Sequence, residues 1–365
     1  MGNKKEMTPL SASRIKTAQS CNFKFWNSYF TDLPNTGNPG SSKGSVVHEL
    51  FEMLGNPRHK HRYDELMEKG SIFEVPVIER YIKKLADRFG WGVNSDSEMA
   101  FMDVMIMNSL RYDFFGHKYS SDKVKAPDQS FSELKFDITK DDPERGIRYR
   151  IRGMIDKLFL FDDLNMAIIR DFKSSKKVFT GKEIDDNIQD LMYSLVSREY
   201  FPEHYNRRSE FLFLQFTMDD EDREGSDGIV LMDVISDEEL DGFELYLTGV
   251  QNYIDDFDEE MSKQDYAKDR GLPKDGSFSK KLLCAPFCKF KGQHKKNGDV
   301  MWHCPERFPF EYLTLQDPNG KVITSAHTTD CASLLKMAED NEEFSIIKKK
   351  HEGCPAWRNI DRKYE

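Results

Sequence analysis

The stretch Tyr149–Lys177, YRIRGMIDKLFLFDDLNMAIIRDFKSSKK, constrains this chain more than any other. Two apolar runs flank a polar centre, Asp162-Asp163-Leu164-Asn165, which predicts two strands joined by a tight turn. With the turn centred on Asp163 and Leu164, Asp162 faces Asn165, and counting outward sets Asp156 opposite Asp171. Directly opposed residues have Cβ atoms roughly 4.5–5.5 Å apart. Lys173, two residues beyond Asp171, points to the same face. Two carboxylates held together repel, and a divalent cation between them removes the penalty. Oxygen ligands suit magnesium or manganese rather than zinc. The inference depends on register, because a slip of one residue sends the aspartates to opposite faces.

The rest of the composition bounds the setting. A length of 365 residues allows one large domain or two. Charged residues make up 32%, yet 27 Phe suffice for a sizeable core. No apolar run approaches the roughly 18 residues of a membrane span. The opening MGNKKEMTPLSAS lacks the apolar centre of a secretory signal, so a cytoplasmic protein is expected. Six cysteines in such a chain argue for metal ligation or free thiols, not a disulfide scaffold. The net charge of −11 counts against a simple nucleic-acid binder. Basic clusters at Lys173–Lys177, Lys280–Lys296 and Lys348–Lys350 still allow a local basic channel, although each also reads as a solvated face.

Elements follow from periodicity. Ser11 or Ser13 is placed to cap a helix carrying Ile15, Ala18 and Cys21, with Phe25, Trp26, Tyr29 and Phe30 beyond. Thr31–Ser45 reads as a loop without a phosphate-binding GxxxxGK[ST]. Gly44–Leu54 reads as a helix burying Val47, Leu50, Phe51 and Leu54, with His48 at the stripe's edge. Residues 58–125 are expected to be helical and irregular, without evident chemistry, the methionines of MDVMIMNSL serving packing. Phe131–Ile138 alternates like a half-buried strand. Ile184–Tyr200 reads as a helix with Gln189 and Tyr193 on one face. Glu210–Phe216 and Ile229–Ile235 read as strands, and Ser236–Met261 as a helix. The class expected is α/β, a mixed central sheet flanked by helices.

A cysteine-rich stretch follows, LCAPFCKFKGQHKKNGDVMWHCP. Cys284 and Cys288 form a C-x-x-x-C knuckle, and the turn signal Asn297-Gly298 would return His303 and Cys304 towards it. Cys284, Cys288 and Cys304 with His294 or His303 could bind zinc tetrahedrally. Beyond it, PFEYLTLQDPNGKVITSA predicts a hairpin around Pro318–Gly320, and Thr329–Glu339 a helix. Cys331 and Cys354 read as ordinary thiols.

GMID, a hairpin and then DFK resemble motifs II and III of the PD-(D/E)XK nucleases. The nearest subgroup is the RecB-like exonucleases, which include nuclease domains of recombination helicases and the CRISPR adaptation nucleases. Further matches run in order: the Cys21 segment, Gly44 to His48 as GxxxH, a glutamate before the hairpin, Gln189 to Tyr193 as QxxxY, and the later cysteines. The glutamate is Glu133, with Asp137 as competitor. The resemblance implies a restriction-endonuclease-like core in which His48, Glu133, Asp156 and Asp171 hold magnesium or manganese. It implies that Lys173 orients the attacking water or stabilises the phosphorane, and that Gln189 and Tyr193 contact the DNA backbone or position the metal site. It also implies a 4Fe-4S cluster on Cys21, Cys284, Cys288 and Cys304 that clamps the chain ends. This chain inserts a hairpin before its last cysteine, a departure that keeps zinc open.

Five divisions are expected: 1–57 with Cys21 and the His48 helix, 58–127 as a helical insertion, 128–262 as the nuclease core, 263–310 as the metal-stapled cysteine cluster closing on the N-terminus, and 311–365 as a C-terminal appendage. The implied function is a Mg/Mn-dependent deoxyribonuclease, an exonuclease of DNA recombination, repair or processing. Its partner would be DNA, single-stranded or at an end, with any unwinding supplied by a separate helicase or recombination protein. The rival class is a non-catalytic DNA-binding or assembly protein on the same fold, which the complete acidic set with Lys173 argues against.

Overall fold

Strand β2 (Ile147–Phe161) and strand β3 (Met166–Lys173) are buried along nearly their whole facing lengths, as near-continuous apolar runs such as LFLF and MAII require. They are the middle of a five-stranded sheet ordered β1-β2-β3-β4-β5, with β1 (Gln129–Asp142), β4 (Asn206–Phe213) and β5 (Ile229–Leu231). All neighbours are antiparallel except β3 and β4. The computed structural model describes residues 6–34, 39–91, 96–119, 126–175, 177–216, 228–266 and 304–356. In chain order its helices are α1 (Ala12–Ser20), α2 (Asn22–Tyr29), α3 (Pro39–Gly55), α4 (Lys60–Lys69), α5 (Pro76–Arg88), α6 (Asp96–Arg111), α7 (Lys182–Asp185), α8 (Ile188–Tyr200), α9 (Asp237–Asp255), α10 (Glu259–Ser262) and α11 (Ala332–Glu339). The chain divides into two compact units, 1–12 with 37–251 and 13–36 with 252–365. Among the described residues no helix is long and apolar enough to cross a membrane.

The first unit contains the five-stranded sheet. The β2–β3 ladder runs from Phe161↔Met166 to Lys157↔Arg170, the register that a turn centred on Asp163 and Leu164 demands. Asp162–Leu164 form a single 3-10 turn, and Asn165 closes it at φ 45, a left-handed conformation that Asn tolerates. Parallel strands need a long crossover, and α8 provides it between β3 and β4. The main core joins Leu50, Phe51 and Leu54 of α3 to Ile78, Ile82 and Leu85 of α5 and Met102, Met105 and Ile106 of α6. Phe51 meets Phe172 of β3 edge-on at 4.6 Å, which seats α3 on the sheet.

Two expected boundaries shift for local reasons. Helix α3 starts at Pro39, inside the expected loop; Pro is preorganised for a first helical turn. The expected helix Ile184–Tyr200 breaks before Ile188, because the Asn187 side chain accepts the N–H groups of Gln189 and Asp190 and caps α8.

The second unit contains a three-stranded antiparallel sheet, β7-β6-β8, from β6 (Phe310–Gln316), β7 (Val322–His327) and β8 (Ser345–His351). The expected hairpin turn is present: the Asp317 carboxylate accepts the N–H groups of Asn319 and Lys321, and Gly320 takes φ 79. Strand β8 has no alternating pattern in SIIKKKH, and only its pairing with β6 reveals it. The single helix expected through Cys21 is two helices. Cys21 has extended backbone, φ −166, and precedes α2, whose Phe25 packs on Phe257 at 5.1 Å.

Candidate active site

The ladders break at one row of the first unit's sheet. Strands β1 and β2 pair Ser132 with Lys157 and Leu134 with Ile155, but skip the position between, Glu133 and Asp156. Strands β2 and β3 stop at Lys157↔Arg170, one step before Asp156 and Asp171. Three carboxylates therefore stand in register across three adjacent strands, with Asp156 in the middle. Glu133 sits at φ 54. A left-handed conformation at a residue with a side chain costs on the order of 1–3 kcal/mol and concentrates at functional sites.

Asp156 and Asp171 are held by named donors. Asp156 Oδ2 accepts the Phe172 N–H at 2.8 Å, and His48 Nδ1 lies 3.2 Å from Asp156 Oδ1. The other His48 nitrogen faces the Phe172 carbonyl at 3.1 Å. Gln189 Nε2 donates to Asp171 Oδ1 at 2.6 Å, and the Tyr193 hydroxyl is 3.2 Å from the same oxygen. Lys173 Nζ lies 2.6 Å from Asp171 Oδ2 and donates to Gln189 Oε1 at 2.7 Å. The i, i+4 spacing of Gln189 and Tyr193 on α8 thus directs both at Asp171, and Gln189 Nε2 reaches the Tyr193 hydroxyl at 2.7 Å.

The electrostatics follow from crowding. Burial lowers the basicity of His48, but Asp156, Asp171 and Glu133 outweigh it and raise its pKa to about 9. Burial, with Asp156 beside it, pushes Glu133 up to about 7. Asp171 is raised by burial and by Asp156, against the pull of Lys173. The row is short of positive charge. His48, Glu133 and Asp156 each offer a ligand atom, all within 4.8 Å of one another, so the donor set fits one hard divalent cation. Asp171 lies outside that triplet and is engaged by Lys173, Gln189 and Tyr193.

The competitor Asp137 lies elsewhere: Arg150 and Arg152 clasp its carboxylate. The cleft over the row, about 480 Å³, is lined by Ser41, Ser45, Phe89, Met154 and Ser174 besides His48 and Glu133. Sequence reasoning missed Phe89, which comes from a stretch read as free of chemistry. A wall residue carries no periodic signal of its own; only tertiary closure identifies it.

In the second unit Cys21 and Cys304 are both buried. Cys21 packs with Cys354, and Cys304 Sγ lies 2.8 Å from Glu306 Oε2. Burial and the Glu306 charge push the Cys304 thiol far up. Cys284, Cys288, His294 and His303 lie outside the described residues.

An acidic row with an amine, on a mixed sheet between helices, defines a class of phosphodiester hydrolases. The chain matches the PD-(D/E)XK nuclease superfamily model over residues 9–292, and it belongs to that superfamily. Its core is the restriction-endonuclease-like fold. Nucleases of this superfamily typically use magnesium or manganese. A search of curated proteins found no match.

Proposed function

We propose that this chain is a magnesium- or manganese-dependent deoxyribonuclease of the RecB-like subgroup, acting as an exonuclease on DNA in recombination, repair or processing. The observation that carries the reading is the row Glu133, Asp156 and Asp171 with Lys173 at 2.6 Å from Asp171. A complete set of acids and amine favours hydrolysis over a non-catalytic binding role on the same fold.

His48, Glu133, Asp156 and Asp171 would hold the cation. When bound, it supplies positive charge at the scissile phosphate. Every other task falls to the chain. Lys173 Nζ, anchored between Asp171 and Gln189, donates to the attacking water or to a phosphoryl oxygen as charge develops there. Gln189 and Tyr193 hold Asp171 in orientation, a positioning role. The Phe172 N–H does the same for Asp156. The test is manganese-dependent degradation of labelled DNA by the wild type and by Asp171→Ala. Degradation by wild type alone supports the reading, and equal degradation by both contradicts it.

A 4Fe-4S cluster on Cys21, Cys284, Cys288 and Cys304 is proposed for the second unit. Burial of both Cys21 and Cys304 in that unit, although they are far apart in sequence, supports it. Iron and sulfide in the freshly purified protein are expected; stoichiometric zinc without iron would replace the cluster with the tetrahedral site.

A further inference from the structure

Phe89 reaches the acidic row from outside the sheet. It is the residue at which α5 ends, and Gly90 at φ 65 turns the chain away behind it. The half-buried Phe89 side chain lines, with Met154, the same cavity that Glu133 and His48 line. Among the described residues no other aromatic ring pairs with it. Arg88 places its guanidinium carbon 5.2 Å from the Phe89 ring centroid and pairs with the cleft-lining Glu49 at 3.4 Å, with its side chain 64% exposed. A cleft of about 480 Å³ has room for a body of one or two rings.

We propose that Phe89 is the stacking platform for an unpaired nucleobase next to the scissile phosphate. The proposal rests on the nuclease reading above and adds a substrate-binding residue to it. Base stacking on an aromatic face tolerates every base, which is how single-strand grooves hold bases without reading them. Met154 supplies a polarizable surface in the same cleft.

The experiment uses full-length protein and a labelled single-stranded oligonucleotide. Binding is measured in chelator, where no cleavage occurs, and KM and kcat are measured with manganese. Phe89→Leu keeps an apolar side chain at the core edge and removes the ring; Phe89→Tyr restores an aromatic face. Phe89→Leu is expected to weaken binding and raise KM about tenfold with little change in kcat, and Phe89→Tyr to match wild type. An abasic residue beside the scissile phosphate is expected to cost wild type about tenfold and Phe89→Leu nothing further. Wild-type binding by Phe89→Leu, or an equal abasic penalty in both proteins, overturns the proposal. Loss of the nuclease reading shows separately, as absence of cleavage by wild type, and the chelator measurement then decides the role of Phe89.

Discussion

The Asp156 carboxylate accepts the backbone N–H of Phe172 at 2.8 Å. This side-chain bond stands one step beyond the last ladder pair, Lys157↔Arg170, where β2 and β3 stop pairing through their backbones. It ties the middle carboxylate of the row to the strand that carries Asp171 and Lys173. The arrangement costs repulsion on both sides of Asp156, and that repulsion is what a divalent cation relieves.

Asp156→Asn tests this opposition. The amide oxygen can still accept the Phe172 N–H, while the like-charge contacts with Glu133 and Asp171 vanish. Above about pH 9, where His48 is neutral and has no ion pair with Asp156 to lose, the metal-free variant is expected to be more stable than wild type by about 1 kcal/mol, a figure discounted because Glu133 is partly exposed to solvent. Its cleavage rate is expected to fall at least about a hundredfold. Thermal melting in chelator, together with a DNA digestion assay, reads both.

In the metal-free protein, in a Lys157→Met background that removes an opposing titration, stability should fall as pH rises from about 5 to about 9. Glu133 has its pKa raised from 4.5 to about 7, so the fold binds that proton more tightly than the unfolded chain and loses the advantage through pH 7. His48 is raised from 6.5 to about 9, so its contribution is complete below 6.5 and is lost through 9. Manganese needs the ionised acids and should reverse the slope. Melting temperatures across this range, with chelator and with manganese, check the sign in both conditions.

A second row lies on the opposite face. Lys157 and Arg170 are cross-strand partners, and both are buried. Arg170 has its countercharge in Glu210 at 2.6 Å, but Lys157 faces the Phe114 ring, with its Nζ 3.6 Å from the centroid, and the Phe114 carbonyl at 2.9 Å. Burial, with Arg170 adding to it, lowers Lys157 from 10.5 to about 7. The unfolded chain therefore holds the extra proton between these values; stability rises with pH across that window, and the penalty is complete below 7. Lys157→Met is expected to stabilise the protein by about 2 kcal/mol near pH 6 and by less near pH 9. Chemical denaturation at the two pH values measures the difference.

Glu210 is the complementary case. Its carboxylate takes Arg170, Tyr112 and Tyr119. Glu210→Ala leaves a fully buried guanidinium with only the more distant Asp113 carboxylate, at 3.5 Å, and is expected to cost about 3 kcal/mol. Urea unfolding of the variant measures it, and a cost below 1 kcal/mol (about a tenth of a typical domain's stability) would show that the pair contributes little.

The hairpin was legible because its polar centre is short and its flanks are apolar, which leaves one register to choose. The stripe Val47, Leu50, Phe51 and Leu54 was legible for the same kind of reason: all four are buried. Other features have no local cause. The left-handed Glu133 follows from strand geometry around the acids, and the Phe89 wall from closure of the helices over the sheet. Strand β8 exists only through its partner β6. Cys21 read as the end of a helix because Ile15 and Ala18 precede it at helical spacing, yet the chain straightens there and starts again.

Lys173→Ala tests the central claim most directly. The amine touches Asp171 and Gln189 and lies 5.3 Å from the Phe211 ring centroid at the edge of the core; its loss is expected to leave fold and DNA binding largely in place. Single-turnover cleavage of end-labelled DNA with manganese is the measurement. The account predicts no detectable product from Lys173→Ala under conditions where wild type digests the strand. Cleavage by the variant at the wild-type rate would contradict it.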